Sequence, residues 1–153
     1  VSVKLRNPNA LRPWQHVLVP LSGYLVLGAQ LHQKRRAVAE AWNFGPLENK
    51  GLSTQEVADK LIALWGSGKH EYLPVENPKK EARLLRLSWE KAAQHLGWAP
   101  AYPWNDALKA TVDWFKEYRW QKEQPNPDTY SLCVKQILEY TEKARELKID
   151  WAM

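Results

Sequence analysis

Between residues 6 and 17 the chain concentrates groups able to hold a ligand: Arg6, Asn7, Arg12, Trp14, Gln15 and His16, set among Pro8 and Pro13. A guanidinium can fork onto a phosphate or a carboxylate, and an indole offers a flat stacking face. Amide and imidazole groups add hydrogen bonds of both polarities. That inventory suits a diphosphate-linked ligand. A Pro-rich turn with two exposed arginines is the plainer account, and residue types alone leave the two open.

The elements around this segment follow from pattern. Ser2-Val3-Lys4-Leu5 alternates polar with apolar and predicts a short strand entering the loop. Trp14 to Val17 reads as a brief extended piece. Apolar residues Leu21, Leu25, Val26, Ala29 and Leu31 then predict a helix over about 19–35, its basic end Lys34-Arg35-Arg36 opposing the helix dipole. Ala41 to Pro46 reads as a strand stopped by Gly-Pro. Ser53-Thr54-Gln55-Glu56 is a capping box opening a helix that Gly66 ends.

Further on, residues 69–83 predict a loop with a short strand near His70 to Leu73, and Ala82 to Leu87 a further strand. Ser88 should cap a helix closed by Gly97. Another helix should run from Trp104 to about 122, burying Leu108, Val112 and Phe115. After the break at Gln124 to Asp128, a last helix to about Lys148 carries Leu132, Ile137, Tyr140, Ala144 and Leu147 on one side. We divide the chain into 1–123 and a helical C-terminal extension, 124–153.

Read in order, R-N-P-x-A-x-R-P-W-Q-H-V, L-x-P-L-S-G-Y-L, Trp42-Asn43-Phe44-Gly45-Pro46, Leu64-Trp65-Gly66, Leu96-Gly97-Trp98-Ala99-Pro100 and Thr111-Val112-Asp113-Trp114-Phe115 resemble the C-terminal half of CDP-glucose 4,6-dehydratases. The resemblance covers roughly residues 3 to 118. It implies an α/β fold, the substrate-binding part of an extended short-chain dehydrogenase/reductase of Rossmann type, helix-rich with a few short strands. Arg12 matches the family's diphosphate-holding arginine. Arg6, Asn7, Trp14, Gln15 and His16 would then shape the pocket for CDP-glucose. The family's H-E-A ahead of the L-G-W helix stands here as Lys80-Glu81-Ala82, a departure in the second half of the nucleotide clamp.

The resemblance further implies NAD, held mainly by an N-terminal half that would precede Val1, and a reaction giving CDP-4-dehydro-6-deoxyglucose for surface polysaccharides. It is compatible with a homo-oligomer of the parent enzyme. No glycine-rich dinucleotide turn occurs in this chain, so we expect no cofactor-binding residues here. Tyr118 and Lys122 match a Tyr-x-x-x-Lys string but follow the R-P-W-Q-H segment instead of preceding it, so we assign no catalytic residue.

His16, His32, His70 and His95 lack metal-ligand spacing. Cys133, the single cysteine, excludes an intrachain disulfide and reads as a packing residue, which fits a cytoplasmic location. The net charge of +5, from 22 basic and 17 acidic residues, is spread without a basic stripe and argues against nucleic acid as a partner. Val17 to Leu31 is too short and too polar to span a membrane. The rival reading is a non-catalytic helical module that binds a nucleotide or a protein.

Overall fold

The structure, a computed structural model, describes residues 2–48, 51–74, 82 and 84–153. Among the described residues the elements are β1 (Ser2–Leu5), β2 (Leu11–Arg12), α1 (Leu18–Lys34), β3 (Leu52–Ser53), α2 (Thr54–Trp65), β4 (Lys69–Tyr72), α3 (Glu90–Leu96), α4 (Trp104–Gln121) and α5 (Thr129–Glu146), with 3-10 turns at Arg35–Val38 and Asp150–Ala152. β1 pairs in parallel with β4, from Ser2 opposite Lys69 to Leu5 opposite Tyr72. β2 pairs antiparallel with β3, Arg12 opposite Leu52. The chain is thus helix-rich α/β, with α1 and α2 in the crossover between the parallel strands.

Local chemistry accounts for the helix ends. Ser53 Oγ accepts from the Glu56 N–H at 3.1 Å, while Glu56 Oε2 accepts from the Ser53 N–H at 2.7 Å, the reciprocal pairing expected of the capping box. These bonds to Ser53, side chain and backbone, hold the Glu56 carboxyl below its ordinary value. Gly66 and Gly97 close α2 and α3 with φ of 93° and 64°, left-handed geometry that a side chain resists. Asp128 accepts from the Ser131 N–H at 2.9 Å and opens α5.

The core forms where α1, α3 and α5 meet the loops around Phe44 and Trp98. Trp98 and Val19 are fully buried, with Ala92, Ala101 and Ala144 beside them. Phe44 and Trp98 meet edge to face at 5.0 Å, as do Tyr102 and Tyr140 at 4.8 Å. Ser22 sits in this apolar setting as a polar hub. Its hydroxyl donates to the Val19 carbonyl at 2.8 Å, accepts from Trp98 Nε1 at 3.0 Å and lies 3.2 Å from the Tyr140 hydroxyl. Residues 124–153 share this core, since Tyr140, Ala144, Ile149 and Ala152 belong to it.

Several expectations are corrected. Residues 41–46 form no strand: Phe44 is buried against α1, and its carbonyl is taken by the Gln15 amide at 3.0 Å. The extended piece near Trp14 lies instead at Leu11–Arg12. Among the described residues of 82–87 there is one isolated bridge, Leu84 to Leu11, in place of a strand. Trp89 precedes α3, with Ser88 one position further out and hydrogen-bonded to Glu90. Phe115 is 53% exposed, and Ile137 and Leu147 are also exposed. Cys133 is exposed as well, so it is no packing residue. Lys80, Glu81 and most of the loop expected over 69–83 lie outside the described residues.

Candidate ligand cleft

The turn after β1 folds back through the Ala10 N–H, which donates to the Asn7 carbonyl, and β2 then lays Arg12 beside β3. Arg12 Nη1 donates to the carbonyls of Leu11 and Ala82, both at 2.9 Å, so the guanidinium is aimed by backbone on either side. Trp14 Nε1 donates to the Leu52 carbonyl at 3.1 Å, which holds its exposed ring against β3. Arg12 and Trp14 consequently share one cleft of about 440 Å³, closed by Glu48, Glu56, Leu52 and Trp104.

The remaining residues read from sequence are placed differently. Arg6 and Asn7 lie at the end of β1 and in the following turn, outside the residues that line this cleft. Gln15 looks inward through its bond to Phe44, and its Oε1 is buried without a partner among the described residues. His16 is 5% exposed; its Nδ1 accepts from the Leu18 N–H at 3.4 Å at the start of α1, and its ring meets Tyr102. Burial pushes the imidazole below its ordinary value, because the charged ring loses its hydration there. Gln15 and His16 thus brace the loop from behind.

Sequence reasoning missed Glu48 and Trp104. Both Glu48 oxygens accept from the Trp104 N–H, at 3.2 and 3.3 Å, where Pro103 offers no side-chain cap for α4. The one available signal was that proline: a long helix entered from Pro103 needs an acceptor from elsewhere. Lys60 Nζ stands 5.2 Å from the centroid of the Trp104 ring. The cleft therefore combines a guanidinium, two indoles and two carboxylates, an arrangement able to hold an anion and a flat ring together.

The residues present do not fit a dinucleotide cofactor. Gly66 and Gly68 lie between the end of α2 and the start of β4, whereas a pyrophosphate cradle runs from a strand into a helix N-terminus. Tyr118 stacks on Trp114 at 5.0 Å near the end of α4, and Lys122 is the C-cap of that helix. Among the described residues no group of His, Cys, Asp and Glu could hold a metal ion, and no helix is long and apolar enough to cross a membrane.

Over 116 residues, 76% of this chain, the sequence is 40% identical to a CDP-glucose 4,6-dehydratase from Salmonella typhimurium. This chain is a relative of CDP-glucose 4,6-dehydratase. It spans 32% of the length of that dehydratase. No family model matches the chain.

Proposed function

We propose that the chain supplies the nucleotide-sugar-binding part of a CDP-glucose 4,6-dehydratase, the C-terminal portion of an extended short-chain dehydrogenase/reductase of Rossmann type. The observation that carries this reading is the 40% identity to the Salmonella enzyme, extended over most of this chain. The cleft supports it, because Arg12 and Trp14 line one cavity large enough for a nucleoside diphosphate. In this reading Arg12 takes the diphosphate and Trp14 the flat part of the nucleotide. Arg6 and Asn7 precede the loop that carries the cleft, and Gln15 and His16 set that loop from behind. NAD and the groups that move protons and water are assigned to the rest of the enzyme. A cytoplasmic setting, a role in polysaccharide sugar synthesis and a homo-oligomer go with the same reading.

CDP-glucose titrated into the protein, followed by calorimetry, tests the proposal. Arg12→Ala should weaken binding by about 1.5–3 kcal/mol, the worth of a charged hydrogen bond. Unchanged affinity in that variant would sink the role of Arg12. A rival reading, a non-catalytic helical module for a protein or nucleotide, is favoured by two apolar grooves beside α4, of about 420 and 540 Å³, that share Phe115. A sharp reversible melt of this chain alone, with no affinity for nucleotide sugars, would favour the module.

A further inference from the structure

We propose that Glu48 selects the base of the bound nucleotide, admitting cytosine and rejecting uracil; this rests on the nucleotide-sugar reading of the cleft. Glu48 is half-buried on the cleft wall that also holds Trp104, and Arg12 and Trp14 line the same cavity. The backbone aims its carboxylate, because both oxygens meet the Trp104 N–H at 3.2–3.3 Å. A carboxylate accepts up to about four hydrogen bonds, so one backbone donor leaves acceptor capacity on a side chain that lines the cleft.

The neighbouring carboxylate is differently engaged. Glu56 Oε2 receives both the Ser53 N–H and the Ser53 hydroxyl at 2.7 Å, so it serves the start of α2. Glu48 is instead the acid joined to Trp104, one of the two indoles that line the cleft, and so the one beside a ring held there. An ionised carboxylate only accepts, and the two pyrimidines differ at one edge position. Cytosine presents an amino group there, which donates to a carboxylate; uracil presents a carbonyl oxygen, which the carboxylate repels. The indoles of Trp14 and Trp104 hold either ring without preference, since stacking is indifferent to the edge. Discrimination then falls to Glu48.

The test measures the affinities of CDP and UDP by calorimetry for the wild-type protein and for Glu48→Gln. Glutamine keeps an acceptor for the Trp104 N–H while offering the ligand an N–H that suits the uracil carbonyl. The wild type should prefer CDP by about tenfold or more. Glu48→Gln should bring the ratio near one, with an unchanged melting temperature. Glu48→Asp, which withdraws the carboxylate by one methylene, should weaken CDP while keeping the direction of preference. A CDP preference that survives intact in Glu48→Gln would overturn the role of Glu48 and leave the nucleotide reading standing. Failure of both nucleotides to bind the wild type would overturn the nucleotide reading, and the inference with it.

Discussion

The indole N–H of Trp98 donates to the hydroxyl of Ser22 at 3.0 Å, so the largest fully buried side chain of the core is held by a single oxygen on α1. Since that hydroxyl already donates to Val19, the Tyr140 hydroxyl 3.2 Å away must be the donor in their contact. One small side chain therefore ties α1, α5 and the segment after α3 together.

Ser22→Ala should lower stability by about 2–4 kcal/mol, because it leaves the Trp98 N–H and the Tyr140 hydroxyl buried without this partner. Urea unfolding measures the loss. A change within experimental scatter would show that the hub is replaceable, for instance by water.

Two glycines of α1 should respond in opposite directions to the same substitution. A Cβ on Gly23 would sit 2.7 Å from Phe44 Cε1 and nearer still to two other ring carbons, so Gly23→Ala should cost about 1–3 kcal/mol. Gly28 has nothing within 4 Å of its Cβ position, and Gly28→Ala should add about 0.5–1 kcal/mol through helix propensity. Melting temperatures of the two variants check the pair; a shift in the same direction would contradict the packing of Phe44 on α1.

On the acid side, His16 should govern part of the stability. Burial lowers its folded value beneath the 6.5 of an ordinary histidine, so the unfolded chain binds the proton more readily. The contribution is whole above pH 6.5 and is lost as pH falls through the folded value. His16→Gln, which keeps an acceptor for Leu18, should flatten that slope in urea titrations. An imidazole NMR titration at or above pH 6.5 would refute the assignment.

Tyr102 acts at the alkaline end. Burial first, then the charges of Glu139 and Asp106 and the nearby Tyr140, push its phenol up to about 12. The folded state holds this proton more tightly than the unfolded one, so stability is retained below pH 10 and declines as pH rises through about 12. Circular dichroism across that window should show a shallower loss in Tyr102→Phe than in the wild type, and equal slopes would count against it.

Helix ends were legible in the sequence because they depend on neighbours: Ser53 with Glu56, and the glycines at 66 and 97, act within one turn. The segment around Phe44 was not, since its β-like composition is overruled by the Gln15 amide and by the glycine at 23 that admits its ring. The periodicity of α4 identified a stripe but not its partners, so Phe115 remained exposed while Val112 was buried. Arg12 and Trp14 were readable as site residues because they are close in sequence. Glu48 and Trp104 lie 56 positions apart and meet only through the fold.

The parallel pairing of β1 with β4 sets an order of events for the newborn chain. Ser2 finds its partner at Lys69, and Val19 is enclosed by residues as distant as Ala144 and Ile149. Such closures cost loop entropy before contacts repay it, and they slow folding relative to helix formation. The helices therefore form early, and the β1–β4 pairing follows once Lys69–Tyr72 has been synthesised.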